Sequence, residues 1–360
     1  MSDRLFAPLD NGPLSTRNRI AMAPMTRSRA TGNLANALMA DYYGQRSGAG
    51  LIISEGVSPS PEGLGYPRIP GLFNDEQAIA WKPVVAAGKA NGARFVVQLM
   101  HTGRIAHRDN LPAGATVLAP SAVRAAGQIW TDTQGQQDHD LPKAMDAGDI
   151  ARVTADYVRA AQLALEAGFD GVEIHGANGY LPNQFLNPQS NQRTDGYGGS
   201  AANRQRFLLE LVDAVSAAIG RERVGVRLSP FNSYNDLAAG YPGEAEDTLA
   251  LVRALAERRI AYLHVIATPV PVELMDAIRA AFPGTLVLAG DLDADKAQAA
   301  LASGRADLVA FARHFIGNPD LPERIRLSLP LAGFDGSKLF SPGSDGYNDY
   351  PAYSAATQAA

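Results

Sequence analysis

The 360-residue chain contains no cysteine. That excludes disulfides, thiolate nucleophiles and cysteine-ligated metals. Lysine is scarce, with five in the whole chain, and none falls at the end of an apolar run. A Schiff-base aldolase is therefore disfavoured. Positive charge is also short: the net charge is −5 at pH 7. Such a chain lacks the footprint of a nucleic-acid binder, and no polybasic run points to a membrane surface. No apolar run approaches the roughly 18 residues that a membrane span needs. The opening "MSDRLFAPLD" lacks the apolar core of a secretory signal, so a cytoplasmic protein is expected. There is no His-x-His pair and no HExxH, so no metal is expected at the site. No internal repeat and no low-complexity tract is present.

Hydrophobic residues make up 46% and charged residues 19%, a globular composition. Eight short apolar runs recur: 19–23 "RIAMA", 50–54 "GLIIS", 94–99 "RFVVQL", 171–174 "GVEI", 224–228 "VGVRL", 262–266 "YLHVI", 285–289 "TLVLA" and 307–311 "DLVAF". Most lack clean alternation, which suits strands buried on both faces of a parallel sheet. Amphipathic segments separate them. In 149–165, Ile150, Val153, Tyr157, Ala161 and Leu165 fall at helical spacing, and in 203–219 so do Leu208, Leu211, Val212, Val215 and Ile219. This alternation predicts an α/β fold, a (β/α)8 barrel filling 1–360 as one domain. A doubly wound open sheet is the alternative, but "AMAPMTRSRA" after the first strand has none of the glycines of its usual fingerprint. The stretch 101–148 is too long for a plain barrel connection and is expected to cap one mouth. Within it, "QIWTDTQGQQ" reads as a hairpin turning near Gln134–Gly135. Residues before Arg19 and after about Ala332 read as terminal extensions.

Barrel active sites lie at the C-terminal strand ends. In order, those ends carry Pro24, Met25 and Thr26; Glu55 and Gly56; Gln98 and His101; His175, Asn178 and Tyr180; Arg227; Gly290 and Asp291; and Ala312 and Arg313. "LAGDLD" and "AFARHF" supply a glycine for close backbone approach and an arginine for charge, which suits a phosphate. A polar set without a nucleophile, metal or lysine suggests that a cofactor carries the chemistry. Thr26, Gln98 and Arg227 are a hydroxyl, an amide and a fixed cation. Together they suit the edge of a flat heterocycle such as flavin mononucleotide (FMN), with its one phosphate for Arg313. Two rival readings are an acid–base or metal barrel using Glu55, His175 and Asp291, and a non-catalytic flavin carrier. His101 and His264 read as structural, and His107, His139 and His314 as surface or loop residues. Thr26 alone would also suit a helix N-cap. Tyr66 is balanced between pocket and packing. Tyr347, Tyr350 and Tyr353 read as packing or interface residues.

The motifs "AMAPMTRSRA", "VVQLMHTGRIAH", "EIHGANGYLPNQFLNPQSNQRTDGYGGS", "VGVRLSP" and "VAFARHFIGNPDL", in that order, resemble the signatures of the Old Yellow Enzyme family of ene-reductases. The resemblance runs from about Leu5 to Tyr350. It implies a (β/α)8 barrel with non-covalent FMN, reduced by NADPH or NADH, of the NADPH dehydrogenase type. The substrates implied are alkenes activated by a carbonyl or nitro group, such as enones, maleimides and nitroalkenes, and often nitroaromatics or nitrate esters. A monomer or homodimer is expected. By resemblance Thr26 meets the flavin O4, and Gln98 and Arg227 bind the pyrimidine edge. Pro24, Met25, Gly56, Gly290, Asp291, Ala312 and Arg313 hold the ring and phosphate. His175 and Asn178 grip the substrate oxygen, and Tyr180 is the proton donor. Three positions depart from the family pattern: Met100 where tryptophan is usual, Phe340 in place of a tyrosine, and Pro182 in place of an aliphatic residue. Tyr66, Met100 and Phe340 are expected to border the substrate.

Overall fold

The structure, a computed structural model, describes residues 4–353. Eight parallel strands close into a barrel in the order β1-β8-β7-β6-β5-β4-β3-β2. They are β1 (Ile20–Met22), β2 (Leu51–Val57), β3 (Arg94–Leu99), β4 (Gly171–Gly176), β5 (Val224–Leu228), β6 (Tyr262–Ile266), β7 (Thr285–Ala289) and β8 (Leu308–Phe311). Each is followed by a helix. These are α1 (Ala37–Gln45), α2 (Asp75–Gly88), α3 (Ala147–Ala167), α4 (Leu181–Leu186) with α5 (Ala201–Ile219), α6 (Glu244–Arg258), α7 (Val272–Ala281), α8 (Ala294–Ala302), and α9 (Arg313–Gly317) with α10 (Leu321–Arg326). The expected barrel is present, with every strand where an apolar run lay.

The strand sequences explain themselves once both faces are seen. Side chains alternate along a strand. Ile20, Ile52, Phe95, Val97, Val172, Ile174 and Val226 pack outward in one core with the helices. Ala21, Leu51, Ile53, Val96, Tyr262, Val287, Leu308 and Ala310 form a second cluster. Gly225 illustrates how tightly strands meet: an added Cβ would lie 2.2 Å from the Tyr262 ring, so only glycine fits. Helix α3 starts at a capping box of Asp146 and Asp149 and ends at Gly168 in the left-handed region. It buries Ile150, Val153, Tyr157 and Leu163, each contributing about 1.5–3 kcal/mol.

Two additions cover the C-terminal mouth. The insertion between β3 and α3 carries the antiparallel hairpin Gln128–Thr131 with Gly135–Asp138. It turns where the sequence placed the turn, with Gly135 at φ 71°.

The second addition is the C-terminal extension itself: the residues after Ala332 dock as a wall of the barrel mouth. Arg27 and Arg29, buried in the loop after β1, hold this segment by its carbonyls. Arg27 Nε donates to Leu339 O at 3.1 Å and Arg29 Nη1 to the same oxygen at 2.7 Å. Arg29 Nη2 reaches Lys338 O and Asp345 O, both at 2.9 Å. Tyr347 then stacks on Tyr42, with centroids 4.2 Å apart.

Candidate active site

A polar layer lies inside the barrel, on strands that elsewhere are apolar. Strand register sets Gly56 beside Gln98, Gln98 beside Glu173, His175 beside Arg227 and Arg227 beside His264. Glu173 is fully buried. Its carboxylate accepts from Gln98 Nε2 at 2.7 Å and from His264 Nδ1 at 2.9 Å. Because a carboxylate only accepts, His264 carries its proton on Nδ1. Burial works against the Glu173 charge, but His264, Arg227 and Gln98 outweigh it and hold the carboxyl below the usual range. Burial, aided by Arg227, pushes His264 down despite Glu173. An ionised Glu173 therefore answers Arg227, with His264 as a neutral donor.

Above this layer the catalytic candidates converge. His175 is the penultimate residue of β4 and is buried, with no partner for Nδ1 among the described residues. Burial, then Arg227 and His264, push its pKa well below the usual histidine value, so it is neutral. Asn178 sits at φ 56°, a conformation Asn tolerates, and its backbone is pinned at both ends. Its N–H donates to Ser229 Oγ at 2.8 Å, and its carbonyl accepts from Asn235 Nδ2 at 2.7 Å. Its Oδ1 is buried without a partner. Tyr180 is the N-cap residue of α4 and packs edge-on to His175 at 4.9 Å. Its hydroxyl lies 3.1 Å from that of Tyr66. Burial raises the Tyr180 pKa, while hydrogen bonds from Tyr66 and Asn235, and the Arg227 charge, act to lower it.

A cavity of about 830 Å³ opens beyond Tyr180. Thr26, Tyr66, Tyr180 and Asn235 form its inner wall, the hairpin residues Gln128, Trp130 and Gln136 its roof, and Phe340 to Pro342 its far side. The chain is similar along nearly all its length to 12-oxophytodienoate reductase 1 of Oryza sativa subsp. japonica: 38% identity over 357 residues, covering 96% of this chain and 92% of that one. Morphinone reductase in complex with tetrahydroNAD superposes with a TM-score of 0.93 at 44% identity, covering 98% of each chain. The old yellow enzyme homologue from Zymomonas mobilis superposes at 0.92 with 40% identity, covering 97% of this chain and 99% of that one. The model of the NADH:flavin oxidoreductase / NADH oxidase family matches residues 4–332.

The chain belongs to this family, that of Old Yellow Enzyme. It is an FMN-dependent ene-reductase driven by NAD(P)H. The residues present fit FMN. Arg227 Nε is buried and unpartnered at the strand ends, where an anionic, nitrogen-rich ring edge would satisfy it. Gly290, at φ 146°, and the exposed Arg313 stand at the ends of β7 and β8, with Asp291 4.0 Å from Arg313.

Not every expected residue of this Old Yellow Enzyme site lies on the cavity. Thr26, Tyr66, Tyr180 and Phe340 do. Thr26 caps no helix. Met100 is 1% exposed and is absent from the cavity wall; it packs with Leu64 and Ile69, behind Tyr66 and Tyr180. Gly56 makes room for it, since an added Cβ would lie 2.4 Å from the Met100 sulfur. His139, read as a surface or loop residue, lies in the loop after the hairpin, where it is buried and lines the cavity. Glu55 turns away toward Tyr43 and the Arg27 backbone, and burial lifts its pKa to about 7. Glu173 was missed as a functional residue because "GVEI" reads as an ordinary buried strand. A carboxylate in an otherwise apolar run was the available signal.

The buried histidines make stability pH-dependent. Burial lowers the pKa of His101 to about 3 and also lowers those of His139, His175 and His264. Below about pH 6.5 the unfolded chain takes up protons that the folded chain refuses, so each such histidine costs about 1.4 kcal/mol per pH unit. Glu55 and Asp156, raised to about 7 and about 6, act oppositely, because their folded forms protonate first. Four groups oppose two, so the thermal midpoint is expected to fall between pH 6.5 and 5. A flat or rising midpoint over that window contradicts the assignment.

Proposed function

We propose that His175 and Asn178 hold the carbonyl oxygen of an enone or maleimide while Tyr180 protonates its α-carbon. The supporting observation is that one strand end sets His175, whose Nδ1 is buried and has no partner among the described residues, against the Tyr180 ring and close in sequence to Asn178, whose amide Nδ2 is the group that would donate. FMN, when bound, supplies the hydride to the β-carbon. Negative charge then builds on the substrate oxygen, and donors placed there lower the barrier. His175 is neutral and Asn178 uncharged, so both can donate at any working pH. The resulting enolate takes a proton from Tyr180, a phenol of ordinary pKa about 10, with Tyr66 and Asn235 positioned to steady the phenolate. Gln98 and Arg227 hold the pyrimidine edge of FMN, and Arg313 holds its phosphate. The same site accepts nitroalkenes, whose oxygens offer the same handle, and nitroaromatics or nitrate esters by the same reasoning. We place the protein in the cytoplasm as a monomer or homodimer.

The test is a panel of oxidants offered anaerobically to the reduced protein. Cyclohexenone, an N-substituted maleimide and a nitroalkene should each restore the flavin absorbance, and an isolated alkene should not. Reoxidation by the isolated alkene would remove the oxygen-binding role of His175 and Asn178. Arg313→Ala is expected to weaken FMN binding by about 1.5–3 kcal/mol, the range for a charged hydrogen bond. Flavin retention after dilution reads this directly, and unchanged affinity would move the phosphate elsewhere.

A further inference from the structure

The outer cavity is poor in free positive charge. Among its lining residues only Arg68 and His139 can carry any. All three arms of the Arg68 guanidinium are engaged. Its Nε donates to Ser28 O at 3.1 Å, Nη2 to Phe340 O at 2.8 Å, and Nη1 to the carboxylate of Asp132. Its side chain is only 16% exposed, whereas that of Asp132 is 44% exposed. His139 is held neutral, pushed down by burial and then by Arg104. The hairpin that roofs the cavity reads "QIWTDTQGQQDHD" from Gln128 to Asp140, with three aspartates and no lysine or arginine. Its wall-forming side chains, Gln128, Trp130, Asp132 and Gln136, offer amides, a ring and a carboxylate.

From this distribution we infer that the protein takes its hydride from NADH in preference to NADPH, with the Asp132–Arg68 pair and the neutral glutamines of the hairpin setting the choice. The inference rests on the flavin reductase reading above and names the reductant for it. The two dinucleotides differ by one phosphomonoester on the adenosine ribose, which carries about −1.5 to −2 charge at pH 7. Accepting it calls for a cation whose charge is not already answered, and the one arginine on the wall is paired with Asp132 and gives three of its five N–H groups to Asp132 and two carbonyls. The exposed Asp132 carboxylate adds repulsion. A ribose with its 2′-hydroxyl intact meets no such obstacle, since carboxylates and amides accept from sugar hydroxyls, whereas arginine is the partner that accommodates a 2′-phosphate in dinucleotide sites. In the reaction NADH gives up a hydride and leaves as NAD⁺, and the two electrons pass to the flavin.

The FMN-loaded protein is mixed anaerobically with NADH or NADPH, and the dissociation constant of each is read from the rate of flavin bleaching. Redox-inactive tetrahydro-NADH and tetrahydro-NADPH give the same constants from the flavin spectrum without turnover. NADH should bind roughly ten- to a hundredfold more tightly, the range that one charged hydrogen bond represents. Gln136→Arg, which adds a cation to the wall, should tighten NADPH and tetrahydro-NADPH about tenfold and leave NADH within about threefold. Asp132→Asn, which frees one arm of Arg68 and removes the repulsion, should shift the ratio the same way and covers the case in which Gln136→Arg does not fold. Equal or tighter NADPH binding by the unaltered protein overturns the inference, as does an unchanged ratio in the folded variants. Failure of both dinucleotides to bleach the flavin would instead overturn the flavin reductase reading.

Discussion

Tyr180→Phe is expected to cut steady-state enone reduction by about 10²–10⁴, the usual worth of a positioned general acid, while nitroalkenes still reoxidise the flavin at close to the native rate. The difference follows from what each product needs. An enolate left by hydride addition reverts unless its α-carbon is protonated, whereas a nitronate persists in water. The phenylalanine keeps the edge contact with the His175 ring and loses only the hydroxyl that meets Tyr66 at 3.1 Å. His175→Ala and Asn178→Ala should behave differently. Each removes a donor from the developing oxyanion and should slow reoxidation by both substrate classes by about 10²–10³. Stopped-flow reoxidation of the reduced protein by cyclohexenone and by a nitroalkene separates the steps. Equal losses on both substrates for Tyr180→Phe would remove its role as proton donor.

Glu173→Ala is expected to destabilise the folded protein by about 1–3 kcal/mol for each of the two buried donors it leaves without an acceptor. Glu173 is the carboxylate that answers Arg227, and it also receives hydrogen bonds from Gln98 and His264. Without it, Arg227 keeps its charge in a buried site, and two donors lose their acceptor. Glu173→Gln retains a hydrogen-bonding group of the same size and should cost less. Urea unfolding of the FMN-loaded protein measures both. A loss under about 1 kcal/mol for the alanine variant would show that Arg227 is solvated or neutralised by another group. Because Gln98 and Arg227 are also the proposed flavin contacts, the alanine variant should release FMN more readily.

Much of the barrel was legible because parallel strands buried on both faces leave near-continuous apolar runs. The bounds of β3, β5, β6 and β7 coincide with "RFVVQL", "VGVRL", "YLHVI" and "TLVLA". The His175, Asn178 and Tyr180 group was legible because it is local, lying within six positions of one strand end. What escaped the sequence is held by distant partners. The segment after Ala332 has no periodicity, and the arginines that dock it lie about 310 residues earlier. The role of Glu173 depends on Gln98, Arg227 and His264, each from a different strand. Met100, two residues after Gln98, does not keep that residue's face and packs with Leu64 and Ile69 behind Tyr66 and Tyr180. Side-chain alternation holds only while the strand continues, and β3 ends at Leu99.

The central claim is that hydride reaches the β-carbon while Tyr180 protonates the α-carbon from the other side. It is tested most directly by running the reaction in D₂O with unlabelled NADH and a 2-methyl-substituted enone, then locating the label by NMR. The account predicts deuterium at the α-carbon and protium at the β-carbon, added to opposite faces of the alkene, with the α-deuterium losing its single configuration in Tyr180→Phe. Addition of both to the same face, or unchanged stereochemistry and rate in that variant, would contradict it.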